Sequence, residues 1–142
     1  MTFSTHTPEE TKQLAVQLAS SLQGGEILAL EGDLGSGKTT FVQGLGEALG
    51  VKAYVRSPSF TLMNIYHTSH PTIHFLVHLD CYRLGPLCDL QGLELEEWLH
   101  RSDVIIVIEW PPHHLLNKNV SISIIFEMIN AQTRNISLPL SP

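Results

Sequence analysis

An α/β fold, with strands and helices mixed around a sheet and antiparallel additions to it, is what this 142-residue sequence predicts. Two observations carry that prediction. The runs Ile27-Leu28-Ala29-Leu30 and Val104 to Ile108 have the unbroken apolar character of strands buried on both faces. Stretches with apolar residues at every fourth position lie among them, as helices packed on a sheet require. A length of 142 residues fits one domain spanning 1–142, large enough to bury about two thirds of its unfolded surface without cross-links.

Taken in order, Thr7-Pro8-Glu9-Glu10 starts the first helix: Thr7 as N-cap, Pro8 in the first turn and Glu10 completing a capping box. Leu14, Leu18 and Leu22 form its apolar stripe, and Gly24-Gly25 ends the run. The 27–30 strand leads through a glycine-bearing loop, 32–37, into a helix from Lys38 to Leu49 with Gly50 as C-cap. Gly44 and Gly46 inside it cost roughly 1 kcal/mol each against alanine, a loss that close packing on the sheet would offset. Ser57-Pro58-Ser59 is extended, because a residue before proline avoids the α region. Thr61 to His67 and Ile73 to Tyr82 form a hairpin around Thr68-Ser69-His70-Pro71. Leu90 to His100 is a short amphipathic helix, with Leu93, Leu95, Trp98 and Leu99 on its apolar side. The 104–108 strand is entered from Asp103 and stopped by Pro111-Pro112, and Ser121 to Met128 with Asn135 to Leu138 make a second antiparallel pair.

Charge and cysteine content exclude several function classes. Eight Lys+Arg against 14 Asp+Glu give a net charge of −6. A chain that grips nucleic acid alone carries a basic stripe, so no DNA partner and no direct tRNA grip are expected. Cys81 and Cys88 form no C-x-x-C pair, which leaves no disulfide framework and points to a reducing compartment. The first residues lack the basic and apolar regions of a signal peptide, and no apolar run approaches the ~20 residues of a membrane span. A soluble, cytoplasmic protein with no membrane role is the expectation.

The chemistry lies in Gly32-Asp33-Leu34-Gly35-Ser36-Gly37-Lys38-Thr39, which fits G-x-x-x-x-G-K-[ST] at every fixed position, after a strand and before a helix. Glycines let such a loop curl until its amides converge on phosphate oxygens, and the helix N-terminus adds positive potential. Lys38 would reach the β- and γ-phosphates, Thr39 would ligate Mg²⁺ and Thr40 would donate to the α-phosphate. Hydrolysis or transfer then needs an acidic group near the metal. Glu109 directly follows the 104–108 strand, and Asp80 ends the apolar stretch from Phe75 to Leu79. Ligands sit at that carboxyl end of strands in open α/β sheets. Either residue can hold Mg²⁺ or orient the attacking water, and sequence does not divide the roles between them. The hydroxyl-rich segment Ser57-Pro58-Ser59-Phe60-Thr61 reads equally as a switch-like loop and as a plain turn before a strand.

Other signals are weaker. His70, His74 and His78 repeat at spacing four, but in a hairpin the last two stand about 13 Å apart, too far to share a metal. His113-His114 reads as a loop pair. Asn117-Lys118-Asn119-Val120 has valine where a guanine-reading motif has aspartate, which leaves adenine as the base.

In this order, residues 32–41 with Gly-Asp-Leu-Gly-Ser-Gly-Lys-Thr-Thr-Phe, 57–62 with Ser-Pro-Ser-Phe-Thr-Leu, 78–84 with His-Leu-Asp-Cys-Tyr-Arg-Leu, 92–99 with Gly-Leu-Glu-Leu-Glu-Glu-Trp-Leu and 108–111 with Ile-Glu-Trp-Pro span nearly the whole chain. The set resembles the bacterial TsaE (YjeE) ATPases of tRNA threonylcarbamoyladenosine biosynthesis. The resemblance implies a three-layer P-loop NTPase fold with a mixed, largely parallel central sheet. It implies Mg²⁺ and ATP held at Gly35, Ser36, Gly37, Lys38, Thr39 and Thr40, with Thr39 and Glu109 at the metal and Asp80 in the hydrolytic machinery. It also makes Ser57 to Thr61 the switch-like loop and sets Trp110 beside the nucleotide, with Thr11 and Arg134 as candidates for closing the base pocket. The partners it implies are TsaD and TsaB, with tRNA reached only through their complex. Ser36 and Ser59 stand where that family commonly has Ala and Thr, and Gly85 to Asp89 is less acidic than usual.

Two other classes compete with a partner-stimulated ATPase. A small-molecule or nucleotide kinase would consume ATP only with an acceptor present, and a chain with four arginines has few for a substrate-clamping lid. A nucleotide-gated binding module would need ATP binding but no turnover.

Overall fold

The structure is a computed structural model that describes residues 1–58, 63–82, 95–111 and 120–140. Its strands are β1 (Thr2–Thr5), β2 (Ile27–Glu31), β3 (Met63–His67), β4 (Phe75–Asp80), β5 (Val104–Glu109), β6 (Ile122–Met128) and β7 (Arg134–Ser137). Its helices are α1 (Pro8–Ala19), α2 (Lys38–Leu49) and the single turn α3 (Glu96–Leu99).

The strands form one mixed sheet in the order β1-β7-β6-β2-β5-β4-β3. The central strands β6, β2, β5 and β4 are parallel, and the antiparallel pairs β3–β4, β6–β7 and β1–β7 extend both edges. The predicted fold class holds. The centre is parallel because β2, β5 and β4 belong to crossover connections that return each strand in the same direction. All six residues of β5 are buried, as its unbroken apolar run requires.

Helices α1 and α2 cover one face. Leu14, Leu18, Phe41, Leu45 and Leu49 pack there with Leu28, Leu30, Ile105 and Val107 from the strands. The ring of Phe41 meets Phe126 edge-on at 5.5 Å between centroids. Ile27, Val77, Val104, Ile106 and Ile108 face the other way, into a second cluster with Leu95 and the α3 side chains Trp98 and Leu99.

Some local readings need correction. The first helix stops at Ala19 rather than at the glycines, because the Ser20 and Ser21 hydroxyls donate to the carbonyls of Gln17 and Leu18 and compete with the helical ladder. Leu22 lies beyond the helix yet is buried in the same core. Thr7 Oγ1 accepts from Glu10 N, but the Glu10 carboxylate accepts from His6 N rather than from the cap residue, so the capping box is shifted by one position. Gly44 packs on α1, not on the sheet: a Cβ there would stand 2.8 Å from the Lys12 backbone. Gly46 does face the sheet side, against Val55 and Leu76. Strand β1 was not foreseen, nor was the parallel seat of β6 on β2.

Several expectations fall on residues outside the described set: Ser59 to Thr61 of the hydroxyl-rich segment, Gly85 to Asp89, Leu93, His113-His114 and Asn117 to Asn119. Among the described residues, no helix is long and apolar enough to cross a membrane.

Candidate functional site

Parallel strands β2, β4 and β5 end at the same edge of the sheet, and the 32–37 loop crosses that edge into α2. Gly37 is the N-cap of α2 at φ 103°, a left-handed conformation that strains any residue with a Cβ. Among the described residues no side chain caps this helix start, which leaves the first-turn amides to an anion.

A cleft of about 440 Å³ opens over the loop. Of the eleven predicted site residues, ten line it: Thr11, Gly35, Gly37, Lys38, Thr39, Thr40, Asp80, Glu109, Trp110 and Arg134. Ser36 does not. Its side chain is buried with no hydrogen-bond partner among the described residues, and its amide donates to the Asp33 carbonyl, so it shapes the loop from behind.

Lys38 is folded back onto its own loop. Its ammonium donates to the carbonyls of Gly32 and Asp33, and lies 4.0 Å from the centroid of the Trp110 ring. Burial pushes its pKa below the ordinary 10.5, while the nearby carboxylates of Glu109, Asp80 and Asp33 pull it back up. Those backbone carbonyls and the aromatic face hold the cation where phosphate oxygens would otherwise receive it. Trp110 has φ 54°, unusual for a bulky residue and of the kind that clusters at functional sites.

Adjacent strands deliver the two acids. Asp80 and Glu109 are direct register partners at the ends of β4 and β5. Glu109 is buried, and its Oε1 accepts from the Thr39 hydroxyl at 3.3 Å. Asp80 is half-exposed; its Oδ1 accepts from the Tyr82 amide at 3.0 Å and its Oδ2 from the Ser57 hydroxyl at 3.4 Å. One end of the hydroxyl-rich segment therefore touches the site.

Arg134 donates through Nε to the Gly35 carbonyl at 3.0 Å and through Nη1 to the Asn130 carbonyl at 2.8 Å, tying the loop to the β6–β7 turn. The Thr11 hydroxyl lies 2.8 Å from that of Thr5, and both residues line the cleft. Thr5, His6 and Gln132 also line the cleft. Sequence reading passed over them because they belong to the end of β1, the bend after it and a turn, none of which carries a motif.

It also set aside His78 as a ligand. His78 is completely buried on β4, with Nε2 3.3 Å from Glu109 Oε1. No local pattern could have paired it with a residue on another strand.

The oxygen donors here suit Mg²⁺, a hard cation that takes one or two protein ligands and fills its shell with water and phosphate oxygens. Thr39 and Glu109 already meet through their oxygens, and Asp80 stands beside them.

Comparison with known proteins identifies the family. A family profile described as "Threonylcarbamoyl adenosine biosynthesis protein TsaE" matches residues 5–136. The chain is 39% identical over 118 residues to the tRNA threonylcarbamoyladenosine biosynthesis protein TsaE of Bacillus subtilis, covering 83% of this chain and 70% of that protein. It is 43% identical over 103 residues to the protein of the same name from Streptomyces coelicolor, covering 70% and 66%. The chain thus spans about two thirds of the length of these relatives. Among solved structures, the crystal structure of Bacillus subtilis YdiB superposes with a TM-score of 0.72 at 34% identity, over 97% of this chain and 83% of that one. With a profile match across 5–136 and a shared fold, this chain belongs to the TsaE family.

Proposed function

We propose that this protein is a single-domain, cytoplasmic, Mg-dependent ATP-binding and ATP-hydrolysing subunit of tRNA threonylcarbamoyladenosine biosynthesis. It acts on a TsaD–TsaB complex and reaches tRNA only through those partners. The observation that carries the proposal is the meeting of Lys38 and Thr39, at the start of α2, with Glu109 and Asp80, at the ends of neighbouring strands, around one cleft. The names of the relatives support the pathway, and the acidic balance of the chain suits docking on protein rather than on RNA.

In this reading the loop and first-turn amides bind the phosphate chain, and Lys38 leaves Trp110 and the loop carbonyls to meet the β- and γ-phosphates. Thr39 and Glu109 would hold Mg²⁺, which when bound neutralises phosphate charge. Asp80, held by Ser57 and the Tyr82 amide, orients the water for in-line attack. Thr11 and Arg134 edge the part of the cleft that receives the base, Trp110 flanks the nucleotide, and Thr40 donates to the α-phosphate.

The test is ATP turnover with and without purified TsaD–TsaB. Stimulation of the wild type is expected, with Glu109→Gln lowering turnover by roughly 10- to 100-fold through the weakened metal site while metal-free ATP affinity stays within a few-fold. Absence of stimulation, with wild type and Lys38→Ala equally inert, overturns the reading. The contact of Ser57 with Asp80 would serve equally in one alternative, a module gated by ATP binding alone. In that case Glu109→Gln supports growth of a strain lacking this protein despite its lost turnover.

A further inference from the structure

We propose that His78 is a positioning residue for Glu109, donating its Nε2–H to Oε1 and fixing the carboxylate where it meets the Thr39 hydroxyl. The inference rests on the reading of Glu109 given above.

The imidazole is completely buried and the Glu109 side chain is 4% exposed, with 3.3 Å between Nε2 and Oε1. Among the described residues neither ring nitrogen has a hydrogen bond, and the approach to Glu109 is an ion-pair distance without hydrogen-bond alignment. A buried polar group left without a partner is costly, and the neighbouring central strands fill such positions with Ile, Leu, Ala and Val. In register His78 sits beside Val107, one pleat behind the Asp80–Glu109 pair, so its ring lies on the same side of the sheet as both acids. From there it reaches the oxygen that also accepts from Thr39. At 3.3 Å the pair is within reach but misaligned, and the proposed bond needs only a small turn of the ring or the carboxylate to close. A carboxylate anchored from behind keeps one orientation; one with an apolar neighbour there turns freely between rotamers, and a metal ligand loses affinity in that way.

The test uses the full chain as wild type, His78→Leu, His78→Gln, Glu109→Gln and the double variant His78→Leu/Glu109→Gln. The Mg²⁺ concentration that half-saturates binding of a non-hydrolysable ATP analogue is measured by calorimetry, beside kcat, KM for ATP and Tm. His78→Leu is expected to raise the Mg²⁺ requirement roughly 10- to 100-fold, with metal-free analogue affinity held within about twofold. His78→Gln, whose amide can donate over a similar reach, is expected to restore most of the loss. The double variant should be no worse than Glu109→Gln alone, because both changes act through one carboxylate.

A wild-type Mg²⁺ requirement in His78→Leu, equal damage in the Leu and Gln variants, or losses that multiply in the double variant would each overturn the proposal. If Glu109→Gln itself leaves the Mg²⁺ requirement unchanged, the reading of Glu109 falls and this proposal with it; an effect of Glu109→Gln without one of His78→Leu sinks the His78 proposal alone. Should His78→Leu not fold, ¹⁵N spectra of the histidine ring in the wild-type chain decide. A protonated Nε2 whose resonance moves in Glu109→Gln supports the contact, and a bare Nε2 removes it.

Discussion

Lys38 shows how a single side chain is prepared for a ligand. Its ammonium is held by two backbone carbonyls and an indole face within the field of three carboxylates, and burial still lowers its pKa. Phosphate oxygens replace the neutral partners with charged ones, each charge-assisted bond contributing about 1.5–3 kcal/mol. Lys38→Ala is therefore expected to weaken ATP binding by roughly 10- to 100-fold, measured by calorimetric titration; an unchanged affinity would place the phosphates elsewhere. A second residue sets a pH dependence on the surface. The Arg101 guanidinium, bonded to Asp103 at 2.7 and 2.9 Å, holds the Asp103 carboxyl below its ordinary value, with His74 3.4 Å away as a further partner. A carboxyl whose folded-state pKa is depressed contributes stability at pH values above its unfolded pKa, and that stability fades as pH falls through the folded value. The Tm gap between wild type and Asp103→Asn should thus be small but present at pH 7 and close as pH falls from the ordinary aspartate range through the lower folded value. A gap that widens on acidification would contradict the assignment.

The elements carry two tests of packing and capping. Gly44→Ala gains about 1 kcal/mol of helix propensity, but its Cβ would lie 2.8 Å from both the Lys12 Cα and the Lys12 carbonyl oxygen. Backbone cannot yield as a flexible side chain does, and overpacking of this kind costs about 1–3 kcal/mol. Net destabilisation is expected in chemical denaturation, whereas a stabilised variant would mean that α1 and α2 separate easily. Thr7→Ala removes the hydroxyl that accepts from Glu10 N and should cost about 1 kcal/mol, read in the same way. At this scale the sequence is highly legible where the signal is local. Residues 38–49, with Gly50 behind them, form a helix whose composition and stop signal lie within a few positions of each other. Legibility fails where side chains compete with the backbone, as Ser20 and Ser21 do in ending α1 early. It fails again for β1, four residues whose strand state depends on pairing Thr2 with Ser137 and Ser4 with Asn135 across most of the chain.

For the molecule as a whole, the cleft belongs to the topology. Strands β2, β4 and β5 run in parallel, and their carboxyl ends bring together groups carried by separate stretches of chain. A ligand seated there couples loop, helix and both acids to the folded state. Mg²⁺ and ATP at a hundred times their dissociation constant should stabilise the protein by about 2.7 kcal/mol, seen as a rise in Tm that Lys38→Ala loses at the same nucleotide concentration. A wild-type Tm indifferent to nucleotide would mean that the cleft binds none.

Sequence alone determined the phosphate-type loop, the helix behind it, the apolar strands and an acidic residue at the end of each of two strands. All of these are patterns of adjacent residues, set by backbone preference and by hydrophobic period. Tertiary structure decided which strands are neighbours, and with that the rest. It set Asp80 beside Glu109, put Arg134 on the Gly35 carbonyl 99 positions away, and brought His78 against a carboxylate on another strand. Such contacts arise from sheet register and chain crossing. Only the folded sheet assigns those, because no local propensity distinguishes one partner strand from another.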